Sequence, residues 1–143
     1  MLKPLLIVSL GLVAAAPIAY NASSAKKAER MKQFVTWRID DAMDELNATD
    51  AQRGQVARVR DRVFADAAPL AESKERVKGE LLAQLEAPRP DASRLHALVD
   101  ERIDAARAFA HKVVDAAVEL HGIFTAEQRA KIAAKIRART GGH

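Results

Sequence analysis

The residues in this chain whose types and spacing could do chemistry are two histidine–carboxylate pairs, His96 with Asp100 and His111 with Asp115. Each pair stands at i, i+4, which on a helix sets an imidazole and a carboxylate on one face, close enough to share a divalent transition metal. Two ligands on two turns do not close a site, and a second helix would have to supply the others. His121 and His143 have no co-ligand at matching spacing, and no Glu-x-x-His pair of the di-iron bundle type occurs. The plainer reading makes His96 and His111 surface or boundary residues with local ion pairing, so no cofactor is required. Cysteine is absent, which removes thiol catalysis, thiolate metal sites, disulfides and a lipobox. Gly-rich phosphate loops and nucleophile elbows are missing too. Carboxylate neighbours such as Asp40-Asp41 and Asp100-Glu101 point to different faces of a helix and cannot act jointly as acid and base. The expectation is a protein that is not an enzyme.

The elements that would position these residues follow from composition and periodicity. At 143 residues the chain suits one domain, and 49% hydrophobic residues with only 4% aromatics and 6 glycines favour helices packed through small and branched aliphatics. So thin a core would gain from dimerisation. The 23 basic and 19 acidic residues are interspersed, so a net charge of +4 reads as solvated helix faces and gives no support to a nucleic-acid partner.

Residues 1–25 read as a leader. Lys3 supplies a positive start, Leu5 to Ala16 carries no charge, and Ala22-Ser23-Ser24-Ala25 fits a small–x–small cleavage site. A cleaved signal peptide is the favoured reading, because Pro17 interrupts a run that is short for a span; an uncleaved membrane anchor is the alternative. Either way the rest lies outside the cytoplasm. Residues 26–140 read as one all-helical domain, and 141–143 as a frayed tail.

Within that domain the first helix is expected over Ala28 to Leu46, with Phe34, Val35, Ile39, Ala42, Met43 and Leu46 on one apolar face and Trp37 beside it as a packing residue. The second starts at Thr49 and carries a seam of Val56, Val63, Leu70 and Val77, joined by Ala67 and Leu81. Pro69 predicts a kink or break near Ala65 to Pro69, with the phase of the seam favouring one bent helix over two; Pro88-Arg89-Pro90 ends it at about Glu86. Asp91 caps a third helix to about Leu120, with Val99, Ala106, Val113 and Leu120 as its seam and Ile103, Ala110 and Ala117 alongside. His121-Gly122 predicts its stop, with glycine in the left-handed conformation. The fourth starts at Thr125, buries Ile132, Ala133 and Ile136, and ends with Arg137 and Arg139 at its negative pole.

Two of these starts repeat a pattern. Thr49-Asp50-Ala51-Gln52-Arg53 and Thr125-Ala126-Glu127-Gln128-Arg129 both read T-x-x-Q-R. Each is a capping box, in which the Thr hydroxyl accepts from the Gln backbone N–H and the Gln side chain reaches back to the Thr N–H. They divide the chain into two hairpin-like halves. In an exported, Cys-free helical chain this duplication resembles the Spy/CpxP family of bacterial periplasmic proteins, whose signature is a twice-repeated L-T-x-x-Q. Ala48 and Phe124 stand where that signature has Leu, and Leu46 remains as an apolar residue able to pack under the first turn. The resemblance covers about Ile39 to Ile136.

The resemblance implies a four-helix protomer paired into a curved antiparallel homodimer. It implies a periplasmic, ATP-independent chaperone or envelope-stress adaptor, with unfolded proteins as clients and an envelope sensor as a further partner. Arg58, Arg60, Arg62, Lys74, Arg76 and Lys78 stud the second helix beside its seam. Long-stemmed cations flanking an apolar stripe suit flexible, partly acidic and partly apolar segments. Some of that family bind metals through His and carboxylates, which gives the pairs above a second context. A third reading is a membrane-anchored helical protein that contacts a sensor or channel.

Overall fold

The computed structural model describes residues 25–141, and these form four helices: α1 (Ala25–Glu45), α2 (Asp50–Glu86), α3 (Ala92–Ile123) and α4 (Ala126–Thr140). The described residues contain no strand, as the composition predicts. The leader lies outside the described residues apart from Ala25, where α1 begins, and so do the last two positions of the tail.

The turn between α1 and α2 is set by Asn47, whose φ of 49° is the one positive value among the described non-glycine residues. Asn tolerates this conformation because its short polar side chain interacts locally. It lets the Ala48 N–H donate to the Met43 carbonyl at 2.9 Å and the Asn47 N–H to the Asp44 carbonyl at 3.0 Å. These two bonds close a Schellman motif, whose accompanying apolar contact is met by buried Ala48 and Met43.

α2 runs unbroken for 37 residues with Pro69 inside it. Packing on both sides of the proline explains the continuity. Ala67 and Leu70 join a cluster with Phe109 and Val113 of α3. Just beyond, the Leu70 carbonyl accepts from the Ser73 hydroxyl at 3.0 Å and from Arg102 of α3 at 3.2 Å, while Arg102 also bonds the Ser73 hydroxyl. Asp91 turns the chain: its carboxylate accepts the Arg94 N–H at 3.0 Å, and its own N–H donates to the Gln84 side chain at 2.7 Å. α3 then returns antiparallel along α2.

The phase of this hairpin differs from the expected seams. On α3 the buried residues are Leu98, Phe109, Val113 and Ala116, whereas Val99 is 55% and Ile103 50% exposed. A strict seven-residue repeat assumes 3.5 residues per turn, and a straight helix drifts about 20° per heptad away from it. Rows at mixed three- and four-residue steps keep facing α2, and they pick up Phe109 and, on α2, Val59. Leu81, placed in the α2 seam, is 48% exposed near the hairpin tip. α3 also continues through Gly122 to Ile123, with Phe124 as its C-cap, and none of the described glycines takes positive φ. Gly122 sits in ordinary helix, so the expected left-handed stop is replaced by an extended cap at Phe124.

Two buried clusters make the core. Val59, Val63, Ala67, Phe109, Val113 and Ala116 hold the hairpin, and Ile39, Met43, Leu46, Ala48, Val56 and Phe124 hold α1 against its base. Leu120 and Ile123 touch both. The N-terminal half of α1 departs from its predicted face. Phe34 and Trp37 are 51% and 57% exposed, their rings in tilted contact with centroids 6.1 Å apart, and the Arg38 guanidinium lies 5.4 Å from the Trp37 ring.

Candidate functional site

Both T-x-x-Q turns form the capping boxes their sequence requires. The Thr49 hydroxyl accepts the Gln52 N–H at 3.2 Å, and the Gln52 side chain accepts the Thr49 N–H at 3.0 Å; Thr125 and Gln128 repeat both distances. Tertiary folding then does what one copy cannot. The two side-chain amides meet, Gln52 Nε2 donating to Gln128 Oε1 at 2.8 Å and Gln128 Nε2 to Gln52 Oε1 at 3.2 Å. The remaining amide protons go crosswise to the opposite turn, from Gln52 to the Ile123 carbonyl at 2.9 Å and from Gln128 to the Leu46 carbonyl at 3.2 Å. Each glutamine thus uses two donors and two acceptors, its full capacity, which makes an amide that is only 8% exposed at Gln128 affordable.

The arginines that follow repeat the symmetry. Arg53 donates to the Ala48 carbonyl at 3.2 Å and pairs with Asp44 at 2.8 Å. Arg129 donates to the carbonyls of Phe124 at 2.6 Å and His121 at 3.2 Å. Ala48 and Phe124 are both buried, so the two departures from Leu still fill the apolar position before each Thr. Lys135 of α4 pairs with Glu45 at the end of α1. Farther along, burial and then the charge of Arg38 lower the pKa of Arg139. From the sequence alone each glutamine pairs only with its own threonine. Equal position in two copies was the available signal, but contact between the copies needed the fold.

On one side of the α2–α3 hairpin the charges join into a ladder. Arg62 pairs with Glu119, Asp66 with Lys112 at 2.7 Å, Arg76 with Glu101 at 3.1 Å, and Glu80 with Arg94. Arg94 also reaches Glu101 at 3.1 Å. The Arg94 hydrogen bond holds Glu80 below its ordinary carboxylate value; Arg76 first, and Arg94 second, do the same for Glu101. The reverse effect, led by the bond to Glu80, raises Arg94. Two of the six expected client-binding cations, Arg62 and Arg76, are therefore committed to carboxylates of α3. Arg60 bonds Asp61 at 2.8 Å, Lys74 is also engaged, and Arg58 and Lys78 are exposed.

The opposite side of the hairpin is apolar. Val99, Ile103 and Val114 of α3 are each at least half exposed, with Ala106 and Ala110 exposed between them. These residues recur at three- and four-residue steps and so share one face. Leu82 and Leu85 of α2, 49% and 79% exposed, lie on the same side near the tip. Where α1 crosses the base of the hairpin, this face opens into a groove lined by Ile39, Met43, Val63 and Val113, among others, with Arg60 as its one charged wall.

The metal pairs stay local. His96, Asp100, His111 and Asp115 are all exposed, and among the described residues no three His, Cys, Asp or Glu side chains gather as a cation site. No described helix is long and apolar enough to cross a membrane.

Comparison with known proteins gives one match. The family model described as LTXXQ motif family protein covers residues 34–135, which is 102 of the 143 positions and includes both T-x-x-Q turns. No curated protein and no solved structure matches the chain.

Proposed function

The chain belongs to the LTXXQ motif family, the Spy/CpxP-type family, and from that premise we propose that it is a periplasmic, ATP-independent chaperone or envelope-stress adaptor. Its clients are unfolded or partly folded proteins, held on the long helices, and its working form is a homodimer. The observation that carries this reading is the apolar side of the α2–α3 hairpin, where Val99, Ile103, Val114, Leu82 and Leu85 stand in solvent. A contiguous exposed apolar surface marks an interaction site, and a flexible, partly apolar polypeptide is its natural complement. The carboxylate ladder on the other side neutralises Arg62 and Arg76 and shares its face of α2 with Arg58, one turn from Arg62, so Lys78 and the groove-lining Arg60 supply the cationic part of the contact.

The reciprocal Gln52–Gln128 bonds form a clasp between the two turns, which has a supporting role in this reading. By tying the two turns together it fixes α1 and α4 at one end of the hairpin, and the hairpin face stays uncovered. A denatured client diluted with stoichiometric protein and no ATP tests the proposal by light scattering. Suppressed aggregation is expected, and unchanged scattering would end the chaperone reading. A sensor partner, if the adaptor role applies, would be captured by crosslinking in the envelope.

A further inference from the structure

The groove at the base of the hairpin is distinct from the open face above it. Ile39 and Met43 of α1, Val59 and Val63 of α2, and Val113 and Ala117 of α3 give it apolar walls. Its open space is about 90 Å³. Water takes about 30 Å³ in the liquid, and about 150 Å³ of apolar cavity holds a benzene. The groove therefore has the bulk for one branched aliphatic side chain. Its walls offer water almost no partners, which makes it a poor site for solvent and a good one for a methyl-rich group.

Arg60 is the single charged residue along this lining. Its side chain is only 17% exposed, and its Nε donates to Asp61 at 2.8 Å. That bond uses one end of the guanidinium fork, and the terminal nitrogens are geometrically suited to a carboxylate. An apolar slot with a cation on its rim selects for an apolar side chain with an acidic neighbour.

We propose that this groove is an anchor subsite for unfolded polypeptides, taking one Leu-, Ile- or Val-sized side chain while Arg60 receives an adjacent Asp or Glu of the same segment. This rests on the chaperone reading and adds a preference to it: clients are chosen by a local apolar–acidic pair, and the open hairpin face contributes contact without selection. Full burial of a Leu side chain is worth about 1.5–3 kcal/mol, which converts to at least about tenfold in affinity.

The test uses three capped Gly/Ser hexapeptides, one with Leu beside Asp, one with Ala in place of that Leu, and one with Lys in place of that Asp. Each is titrated into the protein and followed by backbone-amide NMR shifts. The Leu–Asp peptide should shift Ala42, Val63 and Ala117 first, bind about tenfold tighter than the Ala peptide, and bind several-fold tighter than the Lys peptide. Arg60→Ala should erase the preference over the Lys peptide while leaving the preference over the Ala peptide. Ala117→Phe should fill the groove and abolish both, and Ala42→Leu is a second filling variant; circular dichroism checks that each stays helical. Equal binding of the Leu and Ala peptides, or shifts confined to the α3 outer face, would overturn the proposal. So would groove shifts that depend on protein concentration alone, since a second copy would then be the occupant. Loss of aggregation suppression by the wild type would instead strike the chaperone reading, whatever the peptides do.

Discussion

Replacing Gln128 by Ala should be the most damaging single polar change in this chain. The substitution severs four hydrogen bonds: those exchanged with Gln52 in both directions, that to the Leu46 carbonyl, and that from the Thr125 N–H. At a net 0.5–1.5 kcal/mol each, discounted because Gln52 can turn partly to solvent, the loss is about 3 kcal/mol. Thr125→Ala breaks only a cap and should cost about 1 kcal/mol. Urea unfolding monitored by circular dichroism resolves this difference. A double-mutant cycle with Gln52→Ala isolates the contact between the amides. The two reciprocal bonds are lost in either single variant, so the double variant should be less destabilised than the sum by about 1–2 kcal/mol. Additivity within about 0.5 kcal/mol, or a Gln128→Ala cost no larger than that of Thr125→Ala, would refute the clasp.

Other consequences are open to simple measurements. Phe109→Ala should cost about 3–5 kcal/mol, whereas Val99→Ala should stay within about 0.5 kcal/mol; comparable costs would mean that α3 is rotated from the phase described. Gly122→Ala should stabilise by about 0.5–1 kcal/mol, because Gly122 is helical and an added Cβ meets nothing within 4 Å. Destabilisation there would restore the left-handed stop. The folded-state pKa values of Glu80 and Glu101 lie below the ordinary 4.5. Their ion pairs therefore contribute stability above that value, and it is lost as pH falls through the lower folded values. Carboxyl NMR titration should find both midpoints depressed and that of Glu101 rising toward the ordinary value in Arg76→Ala; an unmoved Glu101 midpoint would remove Arg76 as its main partner.

Much of this architecture was legible in the sequence for local reasons. Thr49, Thr125 and Asp91 announced their helices because capping is a three-residue affair, and Pro88-Arg89-Pro90 ended α2 because proline cannot continue a helix. Pro69 could be read as lying inside one helix because the apolar phase persisted across it. What failed depended on partners. The heptad row through Val99 was the expected seam of α3; its Val113 and Leu120 do join the core, but packing against α2 buries Leu98 and Phe109 in place of Val99 and Ala106. Gly122 looked like a stop because glycine permits one, although nothing forces it to. Phe34 looked like core, yet it is half exposed, and Trp37, expected beside that face, packs on Phe34 and Arg38 outside both buried clusters. Of the candidate site, the duplicated motif was visible, but the meeting of Gln52 with Gln128 across 76 positions was not. Nor could spacing reveal that Arg62 and Arg76 face carboxylates of α3 while the opposite side of the hairpin remains apolar.

In the proposed function, unfolded protein is held on that apolar side. Light scattering of a denatured client with the triple variant Val99→Ser, Ile103→Ser, Val114→Ser tests it most directly, because these side chains are already exposed and the fold should persist. Suppression by the wild type and its loss in the variant, at unchanged helicity, is the predicted result. Full suppression by the variant would contradict the account.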